Sequence, residues 1–155
     1  MKLIPLTQGK FAMVDDEDYL WLNQWRWGYD RGYATRRISI GKGKQIRIHM
    51  HRLVNNTPNN TDTDHKDLNP LNNQQHNLRN CTNAQNQWNR KIQKNGSSQY
   101  RGVGFIKRKS PWQASIRFYG KLIHIGTFAL EKDAAIAYDR KAVELFGEFA
   151  RINFP

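Results

Sequence analysis

The sequence predicts an α+β chain in three parts: a small β-rich N-terminal region, a polar central unit of strand, long loop, strand and helix, and a C-terminal three-stranded antiparallel sheet packed on one helix. Three observations carry this expectation. Apolar and polar residues alternate from Trp112 to Tyr119, the period of a half-buried strand. From Glu131 to Phe146 the period becomes helical, with Ala135, Tyr138, Ala142 and Leu145 on one face and Gly147 placed to end it. Residues 55–95 hold 13 asparagines and only short apolar islands, so this segment packs by polar chemistry.

Residues 1–50 are the β-rich region. Residues 11–14 read as a strand, and residues 33–40 and 45–50 flank a Gly-Lys-Gly-Lys turn. Asp15, Asp16, Glu17 and Asp18 precede Tyr19, Leu20 and Leu22. Acids in a first turn offset the exposed N–H dipoles, which predicts a short helix reaching Gln24. Trp21, Trp25 and Trp27 are assigned to the core.

Residues 51–92 are the central unit. Leu78 and Cys81 suggest a short strand after Asn77, and Thr82-x-x-Gln85 is a capping-box pattern that starts a helix. Asn86 then lies in that helix's first two turns, with Trp88 and Ile92, four apart, on its buried side. An Asn-Gly-Ser-Ser centre gives residues 93–98 linker composition. Residues 99–155 are the C-terminal unit: strands at 100–105, 112–119 and 122–128, then the helix.

The formal charge of +12 at pH 7 points to a polyanionic partner, nucleic acid before acidic membrane. Its distribution says more. From Leu68 to Leu130 no Asp or Glu occurs, while Arg79, Arg90, Arg101, Lys107, Arg108, Lys109, Arg117 and Lys121 all do. Such a one-signed surface can follow a phosphate backbone. Cys81 is the single cysteine, so no intrachain disulfide forms and a reducing, intracellular setting is expected. No run approaches the roughly 18 to 20 apolar residues of a membrane span, and the N-terminus lacks the apolar stretch of a signal peptide.

The C-terminal motifs Tyr100-Arg101-Gly102-Val103, Ile116-Arg117, Ile125-Gly126-Thr127-Phe128, Ala137-Tyr138-Asp139 and Asn153-Phe154-Pro155 occur in order. Together they resemble the plant Apetala/ethylene-response-factor (AP2/ERF) DNA-binding domain over residues 99–155. That resemblance implies a sheet whose exposed face enters the major groove. With Ala114, Ile116, Ile123 and Ile125 toward the helix, Ser115, Arg117, Leu122 and His124 face outward. Motif by motif, it carries DNA contact onto Arg101, Arg117, Ser115 and His124. The chain departs from plant members at Gly104, Leu122 and His124, so plant sequence preference does not transfer. Lys107, Arg108, Lys109 and Lys121 are expected to contact phosphate instead, which positions without specifying sequence.

Phosphodiester hydrolysis needs a water, a base to take its proton and positive charge near the departing 3′ oxygen. A carboxylate at a strand end and an amide oxygen on a helix can share a cation, and oxygen ligands suit Mg2+ or another divalent ion such as Mn2+. His65, neutral near pH 7, suits the base. The set Asp64-His65, Asp67, Asn72-Asn73, Asn77-Leu78-Arg79, Thr82 and Asn86, with His51-Arg52-Leu53-Val54 upstream, resembles the HNH endonucleases of phages and mobile introns. The resemblance implies a ββα-metal (His-Me finger) unit in which His65 activates water, Asp64 and Asn86 bind the metal and Asn77 braces the hairpin. Asn86 stands where the family name implies His. Arg79 either contacts phosphate or supports the hairpin.

The expectation is therefore a homing or phage-type DNA endonuclease acting on double-stranded DNA in the cytoplasm or nucleoid of a bacterial host. No membrane partner and no small-molecule substrate are expected, and the chain is read as a monomer or weak dimer. Two rivals remain: a non-cleaving, sequence-specific regulator, and an RNA-binding or nucleoid protein.

Overall fold

The computed structural model describes residues 1–90, 96–107 and 109–155, which form an α+β fold of two compact units, Met1–Asn83 and Ala84–Pro155. The units part at Asn83/Ala84, ahead of the expected joint at 93–98. Residues 93–95 of that joint, Ile92 and Arg108 lie outside the described residues.

In the first unit, β1 (Lys2–Pro5) pairs antiparallel with β2 (Phe11–Val14), and strand alternation turns Ile4, Ala12 and Val14 inward. A short helix, α1 (Asp16–Leu22), buries Leu22. Next come β3 (Gly28–Asp30), β4 (Tyr33–Ser39) and β5 (Gln45–His49), an antiparallel sheet in that order. α2 (Met50–Val54) follows, then β6 (Asp62–His65), paired antiparallel with β7 (Leu78–Cys81).

One apolar cluster joins these elements, drawing Ile4, Val14 and Leu22 from the N-terminal strands and helix, Met50 from α2 and Leu78 from β7. The expected division at residue 50 is thus not a structural one. The hairpin from β6 to β7 has too few apolar residues for a core of its own, and residues 1–50 supply the rest. Each large aliphatic side chain so buried contributes about 1.5–3 kcal/mol. The tryptophan expectation needs correction. Trp27 is buried and donates from Nε1 to the Leu22 carbonyl at 2.9 Å. Trp25 is exposed, with the Arg36 guanidinium over its ring at 3.8 Å, a cation–π contact rather than core filling.

The second unit takes in most of α3 (Asn83–Trp88), then β8 (Val103–Phe105), β9 (Trp112–Phe118), β10 (Lys121–Phe128) and α4 (Glu131–Phe146). The sheet is antiparallel in the order β10-β9-β8. α4 stops at Gly147, whose φ of 54° lies in the left-handed region that glycine tolerates. The core is Ile116, Tyr138, Ala142 and Phe146. Trp88 stacks on Phe146, ring centroids 4.5 Å apart, which fastens α3 to this core. No helix among the described residues is long and apolar enough to cross a membrane.

Candidate active site

Asp64 and His65 close β6, opposite Arg79 and Leu78 of β7. Neighbours on a strand point to opposite faces, so the two side chains meet different partners. Asp64 is 4% exposed, and Arg79 donates to its Oδ2 from Nε at 2.9 Å and Nη2 at 2.7 Å. A buried carboxylate is strongly destabilising without a countercharge, and Arg79 supplies one. Arg79, itself mostly buried, is therefore a support of the hairpin here rather than an outward phosphate contact.

His65 is buried, its Nε2 at 3.4 Å from Oδ1 of Asn73. Asn73 has no exposed surface. Its backbone N–H donates to the Met13 carbonyl at 2.8 Å and its Nδ2 to the Leu71 carbonyl at 3.2 Å, so the amide that meets His65 is itself held at two points. The His65 ring packs edge-on against His51, 5.1 Å between centroids, with Tyr33 at 6.2 Å. Burial holds His65 below its ordinary 6.5, outweighing the Asn73 bond and the charges of Asp67 and Asp64, which favour the cation. His51 is pushed down to about 3, chiefly by burial. Both rings are neutral at pH 7.

The loop between β6 and β7 is ordered by amides. Asn77 is buried, donates from Nδ2 to Asp67 Oδ1 at 2.9 Å and to the Asn72 carbonyl at 2.8 Å, and accepts the Asp67 N–H at 3.0 Å. Asn72 donates to the other Asp67 oxygen at 2.8 Å. Burial would raise the Asp67 carboxyl, but the bonds it receives from Asn69, Asn72 and Asn77 hold it below the usual range. Asp67, Asn69 and Asn72 each accept a backbone N–H two residues on. These are Asx turns.

The far end of the loop is tied to the N-terminus. Asp15 accepts Gln74 Nε2 and the Gln75 N–H, both at 2.8 Å, and Met13 bonds through both its N–H and its carbonyl to Leu71 and Asn73. Asp15 was expected to serve the start of α1. It occupies the N-cap position, but no side-chain cap bond forms there, and the carboxylate anchors the loop instead. Asp67 and Asn73 stand in the motif set without a role of their own, and Asp15 and Met13 are contributors that the sequence reading did not include. Asx spacing was the one available signal for Asp67. For Asp15 and Met13 nothing local exists, since their partners lie some 60 residues away.

Asn86 lies on α3 and belongs to the second unit, Asp64 and His65 to the first. Taken residue by residue, the donor types suit a hard divalent ion: a carboxylate at Asp64, whose Oδ2 already accepts two bonds from Arg79, and an amide oxygen at Asn86. Among the described residues, no group of three or more His, Cys, Asp or Glu could hold a metal ion.

In the second unit the β9–β10 register sets His124 beside Ser115 and Leu122 beside Arg117, with Gly126 opposite Ala114 across a bulge. Ala114 and Ile116 are buried, whereas Arg117, Lys121, Leu122 and His124 are exposed and Ser115 half-buried. Lys107 and Lys109 are exposed as well. Arg117 bends back to its own turn, Nη1 donating to the Gly120 carbonyl at 3.2 Å.

Arg101, expected on this face, is engaged internally. Its Nε donates to the Tyr138 hydroxyl at 3.0 Å, and its Nη1 and Nη2 donate to the Arg90 and Gln87 carbonyls at 2.6 and 3.5 Å. A guanidinium thus serves carbonyls at and beyond the end of α3. Gly102, at φ 73°, cannot carry a Cβ, which would overlap the Tyr138 ring. Asp139 accepts the Asn153 and Phe154 N–H groups, and Asn153 accepts the Arg101 N–H. Much of the C-terminal motif set is therefore a clasp that closes the unit.

No protein-family model matches the chain. It is 32% identical over 153 residues, 97% of its own length and 79% of the relative's, to an uncharacterized HNH endonuclease of Acanthamoeba polyphaga mimivirus. It is 34% identical over 90 residues to Protein 3.8 of Escherichia phage T7, covering 58% of this chain and 74% of the phage protein. A 58-residue stretch, 37% of this chain but 12% of the relative, is 48% identical to an AP2-like ethylene-responsive transcription factor of Arabidopsis thaliana.

Proposed function

The chain belongs to the HNH endonuclease family, and from that premise we propose that it is a divalent-metal-dependent DNA endonuclease whose AP2-like unit places it on duplex DNA. In chain order β6, β7 and α3 would form the ββα-metal unit. The single observation carrying the reading is the setting of His65: a buried imidazole whose cation is disfavoured by burial, with Nε2 3.4 Å from the Asn73 amide oxygen.

That setting selects a tautomer. Asn73 Oδ1 only accepts, so the bond requires the proton on Nε2 and leaves the lone pair on Nδ1, the atom that would take the proton of the attacking water. Asn73, fixed by Met13 and Leu71, keeps the ring from turning. Asp64 and, by the family pattern, Asn86 would hold the ion. When bound it would supply positive charge to the departing 3′ oxygen. Arg79 holds the Asp64 carboxylate in place through two hydrogen bonds, and Asn77 keeps the loop that carries Asn73 closed on β7. The products would be 5′-phosphate and 3′-hydroxyl ends.

The test is incubation of purified protein with supercoiled plasmid and Mg2+, with and without chelator. His65→Ala should slow nicking about 10²–10⁴-fold, the usual loss for a general base. Equal nicking by both would remove His65 from the chemistry. No nicking by wild type, on plasmid carrying a selected binding site, would favour the non-cleaving regulator.

A further inference from the structure

We propose that the β4–β5 hairpin is a second DNA-binding surface, its Arg37–Arg47 face gripping the phosphate backbone beside the bond presented to His65. The inference rests on the nuclease reading above and adds to it a function for the N-terminal sheet.

Residues 36–47 contain Arg36, Arg37, Lys42, Lys44 and Arg47 and no acid. In the register of β4 and β5, Arg37 lies directly opposite Arg47, so both side chains leave the same face. Like charges in that position are destabilising, and a fold that needed only a stable hairpin would gain by replacing one. Arg47 is partly compensated by Asp30 at 2.9 Å. Arg37 is exposed and has no ion-pair partner among the described residues. The two guanidinium side chains help line a hollow of about 290 Å3 with Gln45 and Ile46, open to a charged ligand.

Position supplies the second argument. Thr35 pairs with His49 on the same face as Arg37 and Arg47. From His49 the rings run to His51, 5.2 Å away, and from His51 to His65, 5.1 Å away, with Tyr33 against all three. The strand face that carries Arg37 and Arg47 therefore leads, within one unit, through Thr35 and His49 to the cluster of buried rings that holds the imidazole assigned to the chemistry. Same-face residues recur about every 6.8 Å along a strand, a spacing that lets successive side chains follow one backbone. At the tip, the Gly41-Lys42-Gly43-Lys44 turn adds two exposed ammonium groups, and a Cβ on either glycine would meet nothing within 4 Å. The turn thus projects its lysines into open space. A polyanion approaching His65 is the ligand that would relieve the Arg37–Arg47 repulsion.

The test uses the full chain carrying His65→Ala, so that DNA is bound without being cut, and a labelled duplex of about 30 base pairs of arbitrary sequence, read by fluorescence anisotropy between ~50 and ~200 mM salt. Adding Arg37→Gln, Lys42→Gln and Lys44→Gln should lower the slope of log affinity against log salt by about 2.7, near 0.9 per lost phosphate contact, and weaken binding at least roughly tenfold. Lys42→Gln with Lys44→Gln alone, confined to the exposed turn, should give about two thirds of that change, and restoring position 37 as Arg37→Lys should return its share of the slope. An unchanged slope in both variants, with Arg117→Gln lowering it, would mean that the second unit alone holds DNA. The inference would then be wrong while the nuclease reading stood. Failure of the nuclease reading would show separately, as equal nicking by wild type and His65→Ala.

Discussion

The two units expose their functional side chains differently. In the first, the groups assigned to chemistry are buried: Asp64, His65 and Asn77 are 4%, 6% and 3% exposed. In the second, Arg117, Lys121 and His124, assigned to DNA, stand in solvent on the outer face of a sheet whose inner face is the core. A buried polar group must be satisfied by the protein itself, so in the first unit stability and activity share the same bonds. An exposed one is satisfied by water until a ligand arrives. Substitutions should therefore damage folding and function together in the first unit and separate them in the second.

The largest expected effect is at Arg79. Arg79→Ala removes the guanidinium from the buried Asp64 carboxylate, and loss of one partner of a buried pair costs about 3–5 kcal/mol. Urea unfolding of the full chain should show the first unit melting at a much lower midpoint, with nicking lost in step. If Arg79→Ala instead left the midpoint in place and weakened only DNA binding, Arg79 would behave like the exposed arginines and the contrast between the units would fail.

A smaller effect comes from acid. His51 has a pKa of about 3 in the fold against an ordinary 6.5, because burial penalises its cation. Between those values the unfolded chain binds the proton and the folded chain does not, so stability is complete above pH 6.5 and falls as pH drops through the window. The slope approaches about 1.4 kcal/mol per pH unit, or roughly 2 kcal/mol between pH 6.5 and 5. His49 and His65 are shifted in the same direction and steepen it. The second unit's one histidine, His124, is exposed. Thermal unfolding at pH 7 and pH 5 should thus show the first unit losing more than the second, and His51→Phe, which keeps an aromatic ring without the imidazole, should shrink the difference.

How legible each unit was follows from the same contrast. The C-terminal sheet and α4 came out of periodicity because apolar burial writes itself at period 2 and 3.6, and α4 spans Glu131–Phe146 as expected. The β6–β7 hairpin came from motif residues, Asp64-His65 and Asn77-Leu78-Arg79. Its polar interior did not: whether Asn73 or Asn72 faces His65 depends on the bonds Met13 makes across the chain. Asp15 looked like a helix start because acids before an apolar pattern usually are one. Arg101 matched a DNA-contact motif yet is held by Tyr138 and by carbonyls of Gln87 and Arg90, partners that only packing brings together.

The smallest effect on stability, and the sharpest separation, is expected at Arg117. The side chain is exposed, and among the described residues it bonds to the carbonyl of Gly120 in the adjoining turn. A hydrogen bond so placed competes with water, and surface substitutions of this sort change stability by about 0.5 kcal/mol or less. It lies on the face that the β9–β10 register presents outward, beside Leu122, with Ser115 and His124 next along the sheet. If that face reads the major groove, Arg117→Ala should cost about 1–3 kcal/mol of binding to a selected site, roughly 5- to 150-fold, and relax preference at one base position. If the side chain meets phosphate instead, affinity should fall equally on all sequences and the salt slope should drop by about 1. Anisotropy on selected and scrambled duplexes distinguishes the two, while unchanged affinity on both would mean that the sheet's outer face is not where this unit holds DNA.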